Sequence, residues 1–204
     1  MQLPQKTIFD SPITTFFLHY LARFTLFVMG WRYDKDTPDV DKYVLIAAPH
    51  TSNWDYFYTV LMAFVYKLKI YAMGKKELCE GLFGKVIMWL GIIPIDRSKK
   101  NNTVESAIQV FNEHEKLIMV IPPSGTRGRV KRWRSGFYHI AHGAGVPIAL
   151  AYLDYGTKTT GTGRLFTTTG NYEADMIEIK SHYKNYQGKY PDLTLNYIPV
   201  EVTA

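Results

Sequence analysis

His50 stands five residues before Asp55 in the stretch Pro49-His50-Thr51-Ser52-Asn53-Trp54-Asp55. A carboxylate hydrogen-bonded to one imidazole nitrogen fixes the tautomer and stabilises the imidazolium, which leaves the other nitrogen to take a proton from a hydroxyl. On a straight helix successive residues turn by about 100°, so this spacing would put the two side chains on different faces. Thr51, Ser52 and Asn53 favour a turn, and they let His50 sit on a loop while Asp55, in the first turn of the next helix, folds back toward it. Read this way, the pair is a general base for an alcohol. The same residues also read as a plain helix start, with Ser52 or Asn53 as cap and His50 bonded to backbone.

Two arginines follow short apolar runs. Arg97 ends Gly91-Ile92-Ile93-Pro94-Ile95-Asp96-Arg97, and Arg127 ends Pro122-Pro123-Ser124-Gly125-Thr126-Arg127. The guanidinium fork matches phosphate oxygens two at a time, and Gly125 lets backbone N–H groups approach an anion. Each arginine taken alone also suits a surface ion pair. The run Arg127, Arg129, Lys131, Arg132 and Arg134, with Trp133 among them, fits nucleic acid, anionic lipid, coenzyme phosphates or an acidic carrier protein. No nucleic-acid motif accompanies it, so the lipid, coenzyme and carrier readings are preferred and nucleic acid is not expected. No metal site is expected either. His139 and His142 lack a third ligand at a recognisable spacing, and the acidic loop 34–41 lacks the Gly and terminal Glu of a calcium loop.

These residues need a scaffold, and apolar runs alternating with helical patterns call for an α/β fold with a mostly parallel central sheet flanked by helices. Strands are predicted at Tyr43–Ala48, Lys69–Met73, Ile92–Ile95, Leu117–Ile121, Val146–Tyr152 and Arg164–Thr168. Helices are predicted at Trp54–Tyr66, Leu82–Leu90, Val104–His114, Phe137–His142 and Glu173–Tyr186. Gly156–Gly163 is expected to be a flexible loop, and the residues from Pro191 onward carry no clear pattern. The chemistry then gathers just after strands, where open α/β sheets keep their sites.

A chain of 204 residues with 47% apolar content buries one core, so a single domain spanning 1–204 is expected. A net charge of +6 favours anionic partners. One cysteine, Cys79, excludes an internal disulfide and suits a reducing compartment, and it reads as an inert thiol. The N-terminus lacks a basic start and a small-residue cleavage site, so 1–33 is expected to belong to the mature protein. From Ile13 to Trp31 the chain is strongly apolar, interrupted by His19 and Arg23. A central Arg costs about 3 kcal/mol in a membrane span, so an interfacial helix fits better. Phe and Leu would enter the acyl layer, and Trp31, Arg32 and Tyr33 would mark the headgroups. The competing reading is a core helix.

In order, His50 with Asp55, Gly91 with Arg97, Gly125-Thr126-Arg127, and Val146-Pro147-Ile148 resemble the motifs of the glycerolipid acyltransferase family that includes the lysophosphatidic acid acyltransferases. The resemblance covers about Val44 to Asp154, with a catalytic core expected at 43–154. It implies His50 as general base and Asp55 as its orienting partner. It implies Arg97 and Arg127 as phosphate anchors beside Ser124, Gly125 and Thr126, and Pro147 on the acyl side. It implies direct transfer from acyl-CoA or acyl carrier protein to a lysophospholipid such as lysophosphatidic acid, with no cofactor and no acyl-enzyme. It also implies a peripheral or monotopic protein at the cytoplasmic face of a membrane. One departure stands out, because the family has Glu where this chain has Ser124; that bears on the acceptor and leaves His50 and Asp55 intact. The alternatives are a catalytically weak relative and a basic lipid- or nucleic-acid-binding module.

Overall fold

The computed structural model describes residues 1–95 and 100–194, with side chains in the second stretch from 103 onward. Eight strands are present among them: β1 (Arg32–Tyr33), β2 (Lys42–Ala48), β3 (Ile70–Lys75), β4 (Ile92–Ile95), β5 (Leu117–Val120), β6 (Ile148–Asp154), β7 (Thr159–Gly161) and β8 (Leu165–Phe166). They form one sheet in the order β1-β7-β6-β2-β5-β3-β4, with β8 on β6. β2 runs parallel to both β5 and β6, and β3 runs parallel to β5 and β4. The five strands therefore end on one side of the sheet. Strands buried on both faces read as unbroken apolar runs, and all seven residues of β6 and all four of β5 are buried.

Among the described residues six α-helices accompany the sheet: α1 (Pro12–Val28), α2 (Trp54–Val65), α3 (Gly84–Trp89), α4 (Lys100–Glu113), α5 (Gly136–Ala144) and α6 (Tyr172–His182). One core cluster gathers Val44, Ile46, Met119, Ile148 and Leu150 of the sheet with Phe111 of α4 and Phe137 of α5. On the opposite face Tyr43, Leu45, Ile118 and Ala149 meet Ala63 of α2. The sheet is thus covered on both sides, as the sequence suggested.

Two expectations fail locally. The stretch 156–163 is not simply a loop, because Thr159–Gly161 pairs antiparallel with β6 and parallel with β1. Three residues, Thr159-Thr160-Gly161, carry too little periodicity to be recognised. Trp31 is not at a headgroup level either. It is only 5% exposed, with its ring 4.3 Å from that of Tyr58, and Arg32 and Tyr33 form β1.

Helix α1 has two unlike faces. Ala22 and Leu26 are buried in a cluster with Met62 and Phe64 of α2, and His19 Nδ1 lies 3.0 Å from the carbonyl of Phe64. Ile13, Phe16, Phe17, Tyr20, Leu21, Phe24, Phe27 and Val28 are exposed. Among the described residues no helix is long and apolar enough to cross a membrane.

Candidate active site

β2 ends at Ala48, a cis peptide bond joins it to Pro49, and His50 follows just beyond the C-terminal end of this interior strand. The turn Thr51–Asn53 then reverses the chain into α2. Its cause is the Asp55 carboxylate, whose Oδ2 accepts from the backbone N–H of Thr51 at 2.8 Å and of Ser52 at 2.9 Å. A side chain two positions into the helix thereby satisfies the amides of the turn that precedes it. The hydroxyl of Ser52 accepts from the N–H of Trp54 at 3.2 Å, while Asn53 makes no side-chain cap.

The same Oδ2 lies 3.1 Å from His50 Nδ1, with Asp55 almost fully buried and the imidazole partly open. Oδ1 accepts from the phenol of Tyr155 at 2.7 Å. Burial works to raise the Asp55 carboxyl, but hydrogen bonds from His50, Ser52 and Tyr155 and the charge of His50 outweigh it and hold the group below the usual carboxylate range. An imidazole whose Nδ1 is engaged by a carboxylate can take a proton at Nε2.

A cleft of about 1530 Å³ opens above the pair. Apolar side chains of α2, β3, β4, β5, α3 and the turn before α3 line one wall: Tyr56, Ala72, Leu78, Ile87, Ile92 and Val120. The loop after β5 supplies the cationic wall, with Arg127, Lys131, Arg132 and Arg134, and Lys75 at the end of β3 adds another cation. Within that loop the Ser124 hydroxyl donates to the carbonyl of Thr126 at 2.6 Å, and the N–H of Arg134 donates to the carbonyl of Pro123 at 2.9 Å. Gly125 has φ of +65°, and a Cβ there would sit 2.5 Å from Arg134 Nε. The loop is therefore a closed turn on which the Arg134 side chain rests, possible only without a Cβ at that position.

The structure brings His50, Asp55, Ser124, Gly125, Thr126 and Arg127 to one cleft. Arg97 lies outside the described residues. Pro147 is elsewhere. Val44 of β2 donates its N–H to the Pro147 carbonyl at 3.0 Å, at the start of the parallel strands and roughly 20 Å from His50 at 3.3 Å per residue. Neither Val146, Pro147 nor Ile148 lines the cleft, so the apolar wall is built instead by α2, α3 and the sheet. A Val-Pro-Ile segment opening a buried strand looks the same in sequence whether it serves packing or a site.

Tyr155 went unseen in the sequence because it is one tyrosine of fifteen and stands a hundred residues from Asp55. The segment after α6 also reaches the site. Tyr190 donates its N–H to the Thr51 hydroxyl at 3.2 Å, and Lys189 Nζ lies 4.8 Å from the ring centre of Trp54. Cys79 does not line the cleft, and burial, helped by the charge of Glu80, raises its thiol. His142 Nδ1 meets the Thr168 hydroxyl at 3.0 Å, and His139 stacks on Tyr172.

The acyltransferase family model matches residues 32–152, the span that carries most of the mainly parallel sheet, the His–Asp pair and the glycine-arginine turn. The chain belongs to that family. Its fold resembles that of the 1-acyl-sn-glycerophosphate (LPA) acyltransferase PlsC from Thermotoga maritima, which superposes with a TM-score of 0.57 at 13% identity, over 83% of this chain and 76% of that one. No curated protein sequence matches the chain.

Proposed function

We propose that this protein moves a fatty acyl group from an acyl thioester, acyl-CoA or acyl carrier protein, to the hydroxyl of a lysophospholipid such as lysophosphatidic acid. The observation that carries this reading is the His50–Asp55 contact of 3.1 Å on the floor of a cleft with an apolar wall and an arginine-rich wall. His50 Nε2 takes the proton of the acceptor hydroxyl as its oxygen attacks the thioester carbonyl. The new C–O bond forms, the C–S bond breaks, and the thiolate leaves with the proton returned by His50. Asp55 holds Nδ1–H and stabilises the imidazolium formed in between. The apolar wall suits the acyl chain, and Arg127, with Arg97, suits the acceptor phosphate. The LPA acyltransferase named by the Thermotoga structure acts on an acceptor of that class.

The exposed face of α1 supports work at a membrane surface, with the protein peripheral or monotopic at the cytoplasmic face. Phe16, Phe17 and Phe24 are each more than half exposed, in a stripe no soluble core explains. The test is incubation of purified protein with a panel of lysolipids and labelled acyl thioesters, with products read by mass spectrometry. Acylated lysophosphatidic acid is expected; a panel left untouched with both donor types would contradict the reading.

A further inference from the structure

We propose that Tyr155 is a positioning residue for the His50–Asp55 pair, pinning the second oxygen of the carboxylate so that the first stays turned to the imidazole. This rests on His50 being the base of the proposed acyl transfer. A carboxylate offers about four acceptor sites. At Asp55 they are met by Thr51 N–H, Ser52 N–H and His50 on Oδ2 and by Tyr155 on Oδ1. Among the described hydrogen bonds Tyr155 alone serves Oδ1. The load on the two oxygens is unequal. Without the phenol, a carboxylate free to turn about Cβ–Cγ would share the two amides between its oxygens, and the imidazole would lose its fixed acceptor.

Tyr155 is built for this task. It directly follows β6, and its N–H donates to the carbonyl of Gln187 at 2.8 Å. Its ring meets Trp31 edge-on at 5.1 Å and Tyr58 edge-on at 5.8 Å. Burial, reinforced by the hydrogen bond and charge of Asp55, pushes the phenol far up, so it stays a donor and never competes with His50 as a base. The neighbouring tyrosines of α2 are engaged elsewhere. Tyr56 donates to the carbonyl of Leu90 at 3.0 Å, and Tyr58 points at the sulfur of Met29 at 3.9 Å. Trp31 closes the end of α1 through its N–H to the Leu26 carbonyl at 2.8 Å. The ring cage that fixes Tyr155 therefore joins Tyr58 of α2 to the turn that ends α1, the helix that bears the exposed apolar face.

Tyr155→Phe keeps the ring and removes the donor. In the full chain we expect kcat to fall about tenfold or more with both KM values within about twofold, the pattern of a lost transition-state interaction. We also expect the ¹⁵N signals of the neutral His50 ring, assigned by difference with His50→Gln, to move from the Nδ1–H tautomer toward a mixture. A kcat or a tautomer that stays at the wild-type value overturns the proposal, whatever happens to the melting temperature. The tautomer is read without substrate. If wild-type protein consumed no thioester, acyl transfer would fail while the tautomer alone decided the positioning role. Should Tyr155→Phe not fold, a fluorinated tyrosine at 155 keeps ring and hydroxyl while changing the donor's acidity. The tautomer must then respond, and an unmoved tautomer overturns the proposal.

Discussion

Oδ2 of Asp55 holds His50 Nδ1 at 3.1 Å while binding the amides of the very turn that separates the two residues. One carboxylate thus shapes the loop and orients the imidazole. Asp55→Asn keeps the size but offers one acceptor oxygen and an NH₂ group that repels the Thr51 and Ser52 amides. The expected loss is on the order of 10²- to 10⁴-fold in kcat, with KM nearly unchanged, measured in steady-state assays.

The same group sets a stability trend in acid. Its folded pKa lies below the unfolded value of 3.8, so its stabilising contribution is present above that value and is lost as pH falls through the folded pKa. Wild-type protein should melt at progressively lower temperature below about pH 4. Asp10 and Asp175, also held low, contribute to the same slope. Asp55→Asn should flatten the curve in that range, and thermal melts between pH 2 and pH 6, about the range where carboxylates titrate, check it.

Gly125 tests the loop after β5. Gly125→Ala demands a left-handed conformation costing about 1–2 kcal/mol and drives a methyl group into Arg134. The expected result is a lower melting temperature together with a raised KM for the phosphate-bearing acceptor. Arg127→Ala, at an exposed position, should raise that KM without the stability loss. Ser124→Glu restores the family residue but removes the hydroxyl bonded to Thr126, and it should change the ranking of acceptors in competition assays.

Helix α1 gives a separate test. Replacing Phe16, Phe17 and Phe24 with Ser removes about 2 kcal/mol of partitioning per ring, since all three are solvent-facing. Flotation with anionic vesicles should show the triple variant released, and circular dichroism should show it folded. A variant that unfolds would instead make these rings part of the core.

Much of this architecture was legible beforehand because it rests on local signals. The buried runs of β2, β5 and β6 are continuous, and His50 and Asp55 are close enough in sequence for a turn to join them. What escaped the sequence depends on long-range pairing. Tyr155 reaches Asp55 only because β6 lies beside β2, and β7 exists only because β6 and β1 offer it edges. Trp31 carries the composition of a membrane-surface residue, yet the fold assigns it to a ring cage with Tyr58 and Tyr155. Pro147 matched a motif by order along the chain, and strand direction placed it at the wrong end of the sheet.

The measurement closest to the central claim is the turnover of His50→Ala with lysophosphatidic acid and an acyl thioester, alongside vesicle binding and a melting curve. His50 is partly open and sits on a loop, so folding and vesicle binding should persist. Turnover should fall by at least about 10²-fold, the lower bound for a lost general base. Near-normal turnover in a folded His50→Ala protein would contradict the account.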